Sequence, residues 1–365
     1  MTPTSSPPGP PAPTGRIVLL VTSPRLPAGL LTAAAWDLVR AHPVFTAADG
    51  DQPAALRASG VPVTVTAPVA DTLIDALAEH GTVVWLAGPA GDQQFARELG
   101  LRLAREPALA ELELCYGSWD PPGARLLDAV AVLDRLVSPG GDPWKHQQTH
   151  ASLAPYLLEE SYEAYDAIVA GDLDGLREEL GDVLLQVVLH ARLAEDLPED
   201  ERWTVDDVAG ALVDKMVRRN PHVFAGETVD SVASIIANWE RIKRAEKARD
   251  SVLDGIALSQ PALSLAAKIL QRAERAGIDV PLPVAGPSDA ASGDDPAPEA
   301  ALGAMLLRLV ADARVAGLDA EAALRAAALT HAEHIRAAES VRAAESVRAA
   351  EQTGAAESEG GLAGD

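Results

Sequence analysis

Ala170, Gly171 and Asp172 interrupt two long stretches of helical periodicity, and that break constrains the fold more than any other feature of the chain. One stretch runs from Leu153 to Val169 and the other from Leu173 to Asp196. A glycine ends a helix because it enters the left-handed conformation without steric cost, and a following aspartate caps the next helix with its carboxylate. Two helices joined by so short a turn must lie antiparallel, side by side.

Counting outward from Gly171, Glu163 stands eight residues before it and Glu179 eight after; Glu160 stands eleven before and Asp182 eleven after. At ~1.5 Å rise per residue, each carboxylate is level with its opposite number. Within each helix the two acids are three apart and share a face. The second helix carries Leu180, Val183, Leu184, Val187, Val188 and Leu189 around Asp182, so its acids border the apolar surface. Helical glutamates are ordinarily solvated, but four converging carboxylates repel, and burying even one without a partner is costly. A divalent cation resolves that conflict. Oxygen ligands without His or Cys point to Mg²⁺, with Mn²⁺ possible, rather than zinc. A di-iron bundle would place His three residues after a Glu. Here Glu163 follows Glu160 and Asp182 follows Glu179, which speaks against iron.

The 365 residues leave room for about two domains. With 54 acids against 30 bases the chain carries −24, which disfavours DNA or RNA as an extended partner. Cys115 is the only cysteine, so no intrachain disulfide forms. No apolar run approaches the ~20 residues that span a bilayer. A cytoplasmic location without membrane association is the expectation.

Residues 1–15 are Pro-rich and expected to be disordered. In 16–118 the apolar runs Ile17–Val21, Val61–Val65, Thr82–Leu86 and Glu111–Tyr116 read as strands. They alternate with helical stretches at Leu30–Arg40, Thr72–Glu79 and Gln93–Arg105. That alternation predicts a small α/β domain with a largely parallel sheet. The segment resembles the first half of the tetrapyrrole methylase fold, with Thr22–Gly29 and Ala87–Asp92 at the places of its turns. The resemblance implies a vestigial or interaction module without methyl transfer. Residues 122–275 predict an all-α bundle: Ala124–Leu136, the hairpin, Val208–Arg219 and Val229–Lys247. A linker at 281–300, an Ala-rich degenerate helical region at 301–352 and a disordered tail at 353–365 complete the chain. The Arg-Ala-Ala-Glu-Ser-Val hexad from Arg336 keeps no apolar seam, so it predicts a solvated helix, not a coiled coil.

A magnesium cluster commonly serves phosphates. Lys215, Arg218 and Arg219 on one helix, and Arg241, Lys243 and Arg244 on the next, supply cations. Adjacent Arg218 and Arg219 are expected to point apart, leaving one at the surface. Trp144 and Trp239 are candidates to stack on a base.

Glu159-Glu160-x-x-Glu163, fifteen residues and then Glu179-Leu180-Gly181-Asp182 resemble the EExxE…ExxD signature of the all-α nucleoside triphosphate pyrophosphohydrolases. The flanks are similar to those of the MazG family over 122–275. They are Pro143-Trp144 with Gln148-Thr149-His150, Tyr156-Leu157-Leu158, Arg219-Asn220-Pro221-His222-Val223-Phe224 and Trp239-Glu240-x-x-Lys243. The resemblance implies Mg²⁺-dependent hydrolysis of a nucleoside triphosphate to monophosphate and pyrophosphate, in nucleotide pool sanitation. It implies metal ligation by Glu160, Glu163, Glu179 and Asp182, with Glu159 orienting water or acting as base. It implies phosphate contacts from Lys215, Arg218 and Arg219, a substrate pocket with Trp144, Trp239 and Lys243, and a site built at a homodimer interface. Lys145 and His146 stand where many relatives carry an acid after the Pro-Trp pair. The region of Ala301 and Ala304 reads as a repeat without its acids, so one site per chain is expected. The alternatives are a non-catalytic helical assembly module and a related pyrophosphohydrolase acting on dUTP or phosphoribosyl-ATP.

Overall fold

The first apolar run is a strand, β1 (Arg16–Val21), with Ile17, Val18 and Leu20 wholly buried. There follow α1 (Ala33–Ala41), β2 (Val44–Thr46), α2 (Asp51–Ala58), β3 (Val63–Val65), α3 (Ala70–His80), β4 (Thr82–Leu86), α4 (Gln93–Arg105) and β5 (Glu111–Tyr116). The strands form one parallel sheet in the order β3-β2-β4-β1-β5. A parallel sheet hides both faces beneath its crossover helices. Alternation along β4 shows this directly: Val83 and Trp85 face Leu73, Leu77, Phe95 and Leu99, whereas Val84 and Leu86 face Ala35, Val39 and Leu56. The sheet has five strands where the sequence pattern announced four. β2 is three residues long, too short for alternation to register, and α2 behind it was equally silent.

Arg25, in the loop after β1, ties this domain to the helices that follow. Its guanidinium pairs with Asp120 and, at 2.6 Å, with Asp128 on α5 (Arg125–Val137). Then come α6 (Pro143–His146), α7 (His150–Ala170), α8 (Leu173–Ala194) and α9 (Val205–Arg219). α7 and α8 pack along their length, and α5 lies against α8. Leu133, Val137, Leu153, Val188 and Leu189 form the core of this part. α7 begins three residues earlier than its apolar periodicity, because Thr149 and Ser152 close a capping box ahead of it.

This computed structural model describes residues 13–228, 231–246, 251–283 and 298–360. The chain divides into two units, 1–215 and 216–365. The second holds the end of α9, α10 (Pro221–Phe224), α11 (Val232–Ala245), α12 (Ala262–Arg275), α13 (Pro298–Val315) and α14 (Ala320–Gly360). α12, α13 and α14 pack on one another. The hexad repeat is helical, as a continuation of α14. Most of the expected disordered N-terminus, much of the expected linker, the last residues of the tail and both ends of the Val229–Lys247 helix lie outside the described residues. No described helix is long and apolar enough to cross a membrane.

Candidate functional site

The hairpin turn is built as its residues dictate. Gly171 adopts φ 70° and ψ 19°, and Asp172 accepts hydrogen bonds from the N–H groups of Asp174 (3.1 Å) and Gly175 (3.0 Å). Across the helix pair, Glu160, Glu179 and Asp182 each offer a carboxylate oxygen, all within 4.8 Å of one another, and all three side chains are half-buried. Glu163 is exposed beside them, within hydrogen-bonding reach of both Glu160 and Glu179. Glu159 is also exposed, its charge still felt at Glu160.

Electrostatics records the crowding. Burial pushes the Glu160 carboxyl above the usual carboxylate range, and Asp182, Glu163 and Glu159 add repulsion. Burial likewise raises Glu179, followed by Glu163 and Asp182. The basic groups of α8 are engaged elsewhere: Arg177 pairs with Asp174, and Arg192 with Asp134 and Asp196. Among the described residues no Lys or Arg pairs with the four acids. Half-buried, mutually repelling and without counter-charge, the set fits a hard divalent cation with oxygen ligands, Mg²⁺ or Mn²⁺.

Upstream, Trp144 stands on α6, half exposed, edge-on to Tyr156 at 6.0 Å with the Lys145 ammonium 5.5 Å above its ring. Lys145 pairs with Asp142 at 3.1 Å. Lys215 is half-buried and has no carboxylate partner among the described residues. A pair the sequence did not flag joins α7 to α8. His150 Nδ1 meets His190 Nδ1 at 2.8 Å, with Trp203 stacked on His150. Burial lowers the His190 pKa, and His150 adds to the effect.

In the second unit the expectation that Arg218 and Arg219 diverge is corrected. Both reach Glu246: Arg218 donates from Nε at 2.7 Å, Arg219 from Nε at 3.0 Å and Nη2 at 2.5 Å. α9 ends at Arg219, and two long side chains at a helix terminus can curl to one acceptor. The Arg219 guanidinium also lies over Trp239, 5.3 Å from the ring centroid. With Arg219 and then Arg218 bonded to it, Glu246 is lowered to about 2. Lys243 is half-buried and its pKa is lowered by burial; Arg272, Lys268 and Arg219 add to this against Glu240. Glu246 was absent from the sequence reading. Its signal is the helical spacing of 239, 243 and 246, which puts Glu246, the cap of α11, on the same side as Trp239 and Lys243.

A helical hairpin that gathers carboxylates without counter-charge is an arrangement into which a divalent cation would fit. Residues 148–224 match the model of the MazG nucleotide pyrophosphohydrolase domain. A 26.1 kDa protein of the blaB 3′ region of Streptomyces cacaoi is 49% identical over 220 residues, 60% of this chain and 84% of that protein. Curated relatives named nucleoside triphosphate pyrophosphohydrolase include that of Mycobacterium tuberculosis, 53% identical over 43% of this chain and 47% of its own length. The one from Escherichia coli K12 is 46% identical over 41% of this chain and 57% of its own. The chain thus spans about half the length of the curated pyrophosphohydrolases it matches. A solved MazG-related protein from Thermotoga maritima aligns at 27% identity over 33% of this chain and 96% of that one, with a TM-score of 0.27. Over residues 148–224 the chain carries a domain of the MazG family.

Proposed function

We propose that this protein is a Mg²⁺-dependent nucleoside triphosphate pyrophosphohydrolase that yields the monophosphate and pyrophosphate and serves nucleotide pool sanitation in the cytoplasm. One observation carries the reading: three carboxylate oxygens within 4.8 Å, on facing helices, with no basic partner among the described residues. The names of the curated relatives support the same chemistry. Glu160, Glu179 and Asp182 would hold the metal, with Glu163 beside them. A bound divalent ion neutralises phosphate charge and acidifies water. Glu159 would orient the water whose oxygen bonds to the α-phosphorus as the bond to the departing pyrophosphate breaks. Lys215, Arg218 and Lys243 are the candidates to receive phosphate oxygens, with Arg219 supporting Arg218, and Trp144 and Trp239 are each candidates to stack on a base. The apolar side chains Leu158, Ile168, Val169, Leu173 and Leu180 stand exposed on α7 and α8, which supports a homodimer formed across the hairpin.

The test is pyrophosphate release from a nucleotide panel that includes dUTP and phosphoribosyl-ATP, with and without Mg²⁺. Turnover should require Mg²⁺. Glu160→Gln and Asp182→Asn should each lower kcat by about 100-fold or more, as loss of a transition-state contact does. Turnover unchanged in both variants would remove these acids from the chemistry, and no turnover of any nucleotide by the wild type would leave a non-catalytic helical module as the better description.

A further inference from the structure

We propose that Glu246 is a positioning residue of the anion site, holding Arg219 as a strut so that Arg218 is presented to substrate phosphate; this rests on the phosphohydrolase reading. The two arginines share the Glu246 carboxylate but differ in exposure and in how many of their donors it engages. Arg219 is 11% exposed, with one face of its guanidinium on Trp239 and both Nε and Nη2 on Glu246. Two of its five N–H groups are engaged there, and at this depth the other three have little access to an incoming anion. Arg218 is 53% exposed and gives Glu246 only its Nε, so both Nη groups stay without a partner among the described residues. Glu246 is itself 14% exposed and directly follows α11.

Lys243 lies three residues before Glu246, on the same face, and makes no ion pair among the described residues. Within this unit the accessible donors left beside Glu246 for an incoming anion are therefore the Nη groups of Arg218 and the Nζ of Lys243. A carboxylate that stays ionised down to about pH 2 keeps this clamp closed throughout the working range. Fixing Arg218 by its Nε removes rotamer freedom before the substrate arrives, so less entropy is lost on binding. The effect belongs to binding rather than to the chemical step.

The experiment uses the full chain and two readouts: steady-state kinetics with the best nucleotide of the panel, and calorimetric titration with inorganic tripolyphosphate. Glu246→Gln should raise KM about 5- to 10-fold with kcat within about twofold, and weaken tripolyphosphate by a similar factor. Glu246→Asp, which restores the charge, should recover part of the loss. In an Arg218→Ala background, itself about 10-fold weaker, Glu246→Gln should add less than about twofold, because it acts through that arginine. An unchanged KM in Glu246→Gln, or an equal further loss on top of Arg218→Ala, overturns the proposal. A wild type that hydrolyses no nucleotide defeats the catalytic reading instead, and the tripolyphosphate titrations still decide the role of Glu246.

Discussion

Two helical hairpins among the described residues turn back by one device. Gly171 between α7 and α8 and Gly317 between α13 and α14 both follow an alanine, and both sit in the left-handed region at φ 70° and 72°. Asp172 caps α8, and Asp319 accepts the Ala322 N–H at the start of α14. Eight and eleven residues out from Gly171 stand Glu163 and Glu179, then Glu160 and Asp182. The same offsets from Gly317 hold Leu309 and Arg325, then Leu306 and Ala328. Turn chemistry makes a hairpin; the residues at facing heights decide whether it can bind anything. In the second hairpin Arg325 has its acid one turn away in Glu321, whereas the first keeps acids with no counter-charge among the described residues. Such an arrangement lowers stability and persists where a ligand compensates it.

The largest effect expected from this difference is on metal affinity. Titrating Mn²⁺ into the metal-stripped full chain should reveal a site that Asp182→Asn weakens at least as much as the ~10- to 100-fold that loss of a mere outer-shell partner costs. Replacing Leu309 with glutamine, at the matching height of the second hairpin, should leave the isotherm alone. Equal binding by wild type and Asp182→Asn would erase the contrast between the two hairpins.

A smaller effect is electrostatic. Glu160 and Glu179 have folded pKa values above their unfolded ones, so the folded state holds their protons more tightly. Their penalty is absent at low pH and grows as pH rises through the raised values. Glu246 has the opposite sign, its contribution present above its unfolded value of 4.5 and lost as pH falls towards about 2. His190, with a lowered pKa, also costs stability as pH falls below its unfolded value of 6.5, so the clean quantity is a difference between variants. In metal-free protein near pH 7.5, Glu179→Gln should melt higher than wild type by on the order of 2–4 °C, and the gap should narrow towards pH 5. Saturating Mg²⁺ should reverse the ranking. A gap that ignores both pH and Mg²⁺ would mean that the acids do not feel one another.

Much of this was readable from one sequence because its strongest signals are local. The Gly-Asp punctuation, the offsets of the acids and the apolar face of α8 are short-range facts, and the structure delivers the hairpin they describe. What escaped depends on tertiary reach. β2 gains its identity only from β4 and β3 on either side. The His150–His190 contact spans forty residues. The convergence of Arg218 and Arg219 needed Glu246, twenty-eight and twenty-seven residues away, to give both a common acceptor. Glu163 shows the remaining gap between spacing and geometry. Its height was right, but it lies exposed at the rim while Glu160, Glu179 and Asp182 close up.

The smallest effect separates the turn from the site. A Cβ added at Gly171 or at Gly317 would meet nothing within 4 Å, so each alanine substitution costs only the left-handed backbone conformation. That is ~1–2 kcal/mol at either position, and urea denaturation should return similar losses for Gly171→Ala and Gly317→Ala. Only the first turn sets the relative height of ligands, however. Gly171→Ala should therefore also weaken Mn²⁺ binding, by about 2- to 5-fold if relaxation of the strained turn shifts α8 slightly along α7. Gly317→Ala should not. If both variants lose stability and neither loses metal affinity, the acid cluster is held by the packing of α7 on α8, and the glycine contributes the reversal of direction but not the register.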